Sequence, residues 1–222
     1  MPILLKHVLE ASAGFVSYRK EDFTYDSNYD NISISELLLN NPYKFEPTWR
    51  PGTFAAYHTV GPFVTGYIVE DQSNMSYNNF VKTYFFTPLE MSRSTFFLND
   101  DVKNHLINYQ DSTFLHMKAR SSGALITSMP EFTHFLEMLI NDGIYEGKQI
   151  LTKESIDRFE TSTSNLAANR LDIGDGHGIN SWSMYYDGIR YQTHGGEIGP
   201  RYLAQYVYSR NYGTGFIFMI EG

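Results

Sequence analysis

The hydrophobic pattern changes period once, and that change decides the fold class. Up to residue 178 the apolar residues recur at helical spacing; after it they alternate. The segment 181–186, the pair Asp187-Gly188 and the segment 189–193 read as a hairpin with a two-residue turn. Segments 201–209 and 215–221 read as two more strands, joined through Arg210-Asn211-Tyr212-Gly213. This is an α+β chain: a mainly helical region over 1–178 and antiparallel strands over 179–222, within a single domain spanning 1–222.

The helical part has clear punctuation. Ile3, Leu4, Leu5, Val8 and Leu9 form an apolar stripe that predicts a helix over 3–12, ended by Gly14. Ser33 to Glu36 opens a short helix that Asn40-Asn41-Pro42 stops. Further helices are expected over 61–70, 76–86, 100–108 and 152–159. The clearest helix begins at Ser128, which with Glu131 makes a capping box, with Pro130 in the first turn. Phe132, Phe135, Leu136, Leu139 and Ile140 share its apolar face, and Gly143 is placed to end it.

Charge and composition exclude several function classes. The net charge is −8 with no Lys/Arg cluster, which argues against nucleic-acid binding. There are no cysteines, so disulfides, thiolate metal sites and a cysteine nucleophile are out. The apolar run Ile3-Leu4-Leu5 is too short for a signal-peptide core, and no segment approaches eighteen apolar residues. Asp172, Asp175 and His177 lie close in sequence, but a glycine-rich loop explains them better than a metal site. Neither metal nor cofactor is expected.

One stretch stands apart. At His194-Gly195-Gly196 the pattern reads as a strand that breaks into a histidine and two residues without side chains. Read alone, this fits a hairpin turn with an incidental histidine. The alternative is a strand edge left bare so that a ligand can lie against the main chain, with a proton carrier beside it.

Several segments, taken in order, resemble the serine β-lactamase and penicillin-binding-protein family on its class C and esterase-like side. Residues 3–15, through Ala11-Ser12-Ala13-Gly14, resemble the family helix that ends in His-Thr-Ser-Gly. Pro51-Gly52, then Tyr57-His58-Thr59, then Pro88-Leu89-Glu90-Met91 resemble its Pro-Gly, Tyr-x-Asn and Pro-Leu-Gly-Met elements. Ser122-Gly123-Ala124-Leu125 resembles its glycine turn. His194-Gly195-Gly196 resembles its Lys-Thr-Gly motif in the His-x-Gly form.

The resemblance implies a β-lactamase/transpeptidase-like fold and an acyl-serine mechanism. A serine one helical turn before a lysine attacks an ester or amide carbonyl. The tyrosine of Tyr-x-Asn carries the proton to the leaving group. The Lys-Thr-Gly strand edge lends an N–H to the oxyanion hole. On this chain Tyr57 and His194 match the catalytic positions, and Thr59, His58, Gly195 and Gly196 the substrate-binding ones. Thr59 stands where asparagine is usual and lacks its amide donor. A neutral imidazole at 194 supplies no permanent cation for a substrate carboxylate, which favours broader ester or amide substrates, with β-lactams and D-amino acid peptides among the candidates.

The nucleophile departs from the pattern. The one Ser-x-x-Lys string, Ser17-Tyr18-Arg19-Lys20, precedes a polar run and follows the first helix, whereas the family's serine comes before that helix. The reading is therefore of a chain that lacks the family's N-terminal strands, nucleophile helix and C-terminal helix, and is inactive alone. Another chain covering the exposed sheet is an expected partner. Two functions follow: part of a serine hydrolase whose serine is encoded upstream, or an inactive binding module, a pseudoenzyme. Family members usually work outside the cytoplasm, periplasmic or secreted; the compartment of this chain is unknown.

Overall fold

The computed structural model describes residues 2–15, 33–40, 50–53, 55–106, 120–161, 163, 167–168, 176–198 and 202–221. In chain order these form α1 (Leu5–Leu9), α2 (Ile34–Asn40), β1 (Ala55–Ala56), α3 (Val60–Ser73), α4 (Tyr77–Val81), α5 (Asp100–Lys103) and α6 (Met129–Ile140). They continue as β2 (Ile144–Tyr145), β3 (Lys148–Gln149), α7 (Lys153–Glu160), β4 (Ala167–Ala168), β5 (Gly176–His177), β6 (Trp182–Tyr186), β7 (Ile189–Ile198), β8 (Tyr202–Ser209) and β9 (Thr214–Glu221). The last five strands make one antiparallel sheet in sequential order, preceded by the mainly helical body.

Helix ends follow local chemistry. Ala11 adopts the left-handed region at φ 53°, so α1 ends at Leu9 rather than reaching residue 12. Ser128 accepts the Glu131 N–H as expected, but the Glu131 carboxylate turns away from the cap. It accepts instead from the Arg93 N–H at 2.8 Å and the Ser94 hydroxyl at 2.6 Å, pinning the 92–94 turn to α6. The expected helix over 76–86 begins as α4, capped by Ser76, and continues from Lys82 to Phe86 as a π-helical turn. That extra residue in the turn carries Phe86 into the core.

A single carboxylate organises three helices. Glu70 on α3 accepts from the backbone N–H of Ile34 at 2.9 Å and of Tyr77 at 2.9 Å. It thereby caps the starts of α2 and α4, satisfying N–H groups that a helix leaves without intrahelical partners.

The main core joins α6 and α7 to the sheet. Leu136, Met138, Leu139, Ile156 and Tyr208 are buried together with Phe86, Leu89 and Met91. A second cluster, Val8, Ala13, Phe15 and Val60, fastens α1 to α3. Below α7, Glu160 accepts from the Tyr208 hydroxyl at 2.8 Å and from Arg210 Nε at 3.0 Å. Arg210 also bonds Asp142 and reaches Asp157 at 2.6 Å, so one guanidinium ties three acidic groups to the end of β8.

The sheet has two unlike faces. Tyr206, Tyr208 and Ile217 pack against α6 and its neighbours. The alternate residues project the other way, and among them Leu203, Phe216 and Ile220 are 39%, 56% and 53% exposed. Their register, Leu203 with Ile220 and Val207 with Phe216, makes this one continuous apolar face.

The strand pattern differs from expectation at one important place. β7 does not break at His194. It runs unbroken to Ile198, because β8 supplies a ladder along it from Gln192–Tyr208 to Ile198–Tyr202. Tertiary pairing overrides the weak strand preference of two glycines.

Candidate functional site

The site is built where two strands of unequal reach lie side by side. Asp187 and Gly188 have φ 51° and 76°, a mirror-image two-residue turn, and this fixes the register of β6 on β7. The β6 ladder ends at Trp182–Thr193. β7 continues five residues further, His194 to Ile198, held by β8 on its other side. Among the described residues no strand pairs with that overhang on the β6 side. Alternate residues there direct N–H and C=O groups toward the uncovered edge.

The glycines shape the overhang differently. A Cβ added to Gly195 would lie 3.1 Å from the Ala204 carbonyl and 3.3 Å from Gln205. A Cβ added to Gly196 would meet nothing within 4 Å. The first is closely packed, and the second leaves open space beside the strand.

Three aromatic rings gather at the start of the overhang. The Trp182 indole stacks on the His194 imidazole with centroids 4.6 Å apart and planes 5° from parallel. Tyr57 approaches both, 5.7 Å from Trp182 and 6.4 Å from His194. Tyr57 follows directly on β1, whose Ala56 N–H donates to the Ala11 carbonyl at 2.8 Å. The left-handed turn after α1 thus helps set the height at which Tyr57 enters. Behind this cluster, burial first and the Glu160 charge second push the phenol of Tyr206, the ladder partner of His194, far above its ordinary range. That phenol stays protonated, so among the tyrosines here it is no competitor as a base.

The other two residues of the Tyr57-His58-Thr59 stretch face elsewhere. His58 is 2% exposed; its Nδ1 accepts the Gly61 N–H at 2.8 Å, and its ring meets Phe15 edge-on at 5.1 Å. It serves as a side-chain cap for α3, with Nδ1 as the acceptor. Its Nδ1 and ring are thus engaged at the start of α3 rather than beside Tyr57 and His194. Gly61 has to be glycine here, because a Cβ would lie 2.4 Å from the His58 ring and 2.8 Å from the Val8 carbonyl.

Thr59 is also buried, at 4% exposure, and its carbonyl accepts the Ser122 hydroxyl at 2.6 Å. Its own hydroxyl has no hydrogen-bond partner among the described residues.

The structure therefore brings Tyr57 and His194 together and sets Gly195 and Gly196 on the adjoining edge. Trp182 was missed in the sequence, although counting back from Asp187-Gly188 pairs it with Thr193 and so puts it one residue from His194. Ser17 to Lys20, Asp172 and Asp175 lie outside the described residues. Among the described residues no group of three histidines or acids is placed to hold a metal ion, and no helix is long and apolar enough to cross a membrane.

The family model described as Beta-lactamase matches residues 2–222. The chain belongs to the beta-lactamase family. None of the curated proteins matches it in sequence.

Solved structures of this fold superpose over nearly the whole chain. The octameric penicillin-binding protein homologue from Pyrococcus abyssi is 22% identical with a TM-score of 0.75, covering 100% of this chain and 52% of its own. The beta-lactamase/D-alanine carboxypeptidase from Yersinia pestis is 13% identical with a TM-score of 0.76, covering 99% and 64%. The D-amino acid amidase from Ochrobactrum anthropi SV3 is 16% identical with a TM-score of 0.71, covering 98% and 63%. At these identities the likeness establishes the beta-lactamase-type fold. The chain spans between half and two thirds of the length of these three.

Proposed function

We propose that this chain forms the tyrosine and histidine wall of a serine-hydrolase pocket that acts on esters or amides through an acyl-serine intermediate. The observation that carries the reading is the approach of Tyr57 to His194 at the uncovered edge of β7, from positions 137 residues apart.

In this reading a serine oxygen adds to the substrate carbonyl. Its proton passes to the Tyr57 oxygen and on to the leaving amine or alcohol, whose bond to the carbonyl carbon breaks. Backbone N–H groups of the β7 overhang, in a half-buried setting, stabilise the negative charge on the carbonyl oxygen. Water then adds to the acyl-serine by the reverse proton route and releases the acid. His194 contributes an N–H donor at the rim rather than a permanent cation, which favours esters and amides over substrates that must carry a carboxylate. Candidate substrates include D-amino acid amides or peptides and β-lactams.

The acyl-forming serine is proposed to come from outside these 222 residues, since Ser17 stands after α1 and not before it. On family analogy the protein works outside the cytoplasm. The apolar sheet face of Leu203, Phe216 and Ile220 is proposed to be covered by further polypeptide when the pocket is assembled.

The test is reaction with a fluorophosphonate, a chromogenic ester and a chromogenic β-lactam. The 222-residue chain should form no adduct and turn over neither substrate. A longer form bearing a Ser-x-x-Lys helix should do both. Failure of that longer form would favour the second reading, an inactive binding module.

A further inference from the structure

We propose that Trp182 is the positioning residue for His194, holding the imidazole in one plane at the mouth of the β7 overhang. The inference rests on the reading of His194 as a pocket donor. Edge-on contacts are common where aromatic rings merely fill a core, as Phe15 meets His58 at 79°. Trp182 and His194 instead lie 5° from parallel at 4.6 Å, a parallel stack. Such a stack restricts rotation of the imidazole about its χ2 bond and so fixes where its ring nitrogens point.

The indole is itself held from both sides. Its backbone pairs with His177 on β5 and Thr193 on β7. Its neighbours Ser181 and Ser183 are buried, and both hydroxyls lie within hydrogen-bond distance of the buried Gln192 amide, at 3.0 and 2.9 Å. Trp182 thus occupies the last rung of the β6–β7 ladder and projects its ring over the first residue beyond it. A residue anchored on a paired strand can orient one on an overhang far better than the overhang can orient itself. Tyr57, tilted 59° to the indole and 55° to the imidazole, abuts both members of the stack, so a displaced imidazole would also disturb the proton carrier.

The experiment uses Trp182→Leu and Trp182→Phe in the 222-residue chain, with the His194 ring protons followed by NMR. In the unaltered chain those protons should be shifted upfield by the indole ring current and give one sharp set of signals. Trp182→Leu should abolish that shift and broaden or split the signals, while the backbone amide spectrum stays dispersed. Trp182→Phe, which keeps a stacking ring, should retain a single ordered set. His194 signals unmoved by Trp182→Leu would overturn the proposal, as would equal disorder in both variants. In a form that carries the serine, Trp182→Leu should lower kcat by about tenfold, with KM changed less than twofold. A change confined to KM would overturn positioning without touching the reading of the pocket. Loss of activity that does not depend on Tyr57 would sink that reading instead.

Discussion

Tyr57 and His194 stand 6.4 Å apart, centroid to centroid, with the Trp182 indole touching both. The left-handed turn after α1 and the register of a two-residue hairpin converge on this one point. The site is therefore a product of long-range assembly, and its parts answer differently to substitution.

The two glycines of the overhang separate packing from access. Gly195→Ala puts a methyl against the Ala204 carbonyl and should cost about 1 kcal/mol in thermal or urea unfolding. Gly196→Ala enters open space and should change stability by less than about 0.5 kcal/mol. In a form that carries the serine, Gly196→Ala should nonetheless slow acylation, because the methyl occupies the edge where substrate would lie. A Gly196→Ala enzyme with an unaltered rate would remove that edge from the site.

His58 helps hold the start of α3. His58→Ala removes the cap on Gly61 and the contact with Phe15, and should destabilise the chain by about 2 kcal/mol. His58→Asn, which can still accept from a helix N–H, should recover part of that loss. A His58→Ala chain that melts like the original would return His58 to the list of ligand residues.

Much of this was legible in the residues. The period change after 178 marked the sheet, Asp187-Gly188 its first turn, and Ser128 with Pro130 the start of α6. The short motifs singled out Tyr57 and His194, whose rings lie 6.4 Å apart in the fold. What was not legible depends on partners distant in sequence. His58 sits between two site-like residues, yet its side chain turns to cap Gly61. Glu131 left its capping box because the 92–94 turn presents three donors, the Ser92 and Ser94 hydroxyls and the Arg93 N–H. The glycines of β7 remained in a strand because β8 pairs with them.

Acid stability should report on the Arg210 network. Hydrogen bonds from Lys153 first and Arg210 second hold the Asp157 carboxyl below its ordinary value of 3.8. The unfolded chain therefore takes up this proton first as pH falls. The contribution is present above about pH 3.8 and is lost progressively below it. Asp157→Asn should flatten the acid limb of a stability–pH curve below pH 4 and leave its slope near neutrality unchanged. An acid limb identical in the two chains would show the ion pairs to be energetically silent.

The outer sheet face should behave as exposed apolar surface. Leu203, Phe216 and Ile220 should bind a hydrophobic dye such as ANS, and Phe216→Thr with Ile220→Thr should reduce the signal at least twofold while circular dichroism is retained. Dye binding unaffected by the pair of substitutions would place the exposed surface elsewhere.

The central claim is that Tyr57 carries the proton for a serine that these 222 residues do not supply, and covalent labelling tests it most directly. Fluorophosphonate adducts, read by intact mass and mapped by peptide, should be absent from the 222-residue chain. They should form on a Ser-x-x-Lys serine when such a segment is joined to it, and Tyr57→Phe should then slow labelling by about 10²–10⁴-fold. An adduct on Ser17, or a Tyr57→Phe protein labelled at the unaltered rate, would contradict the account.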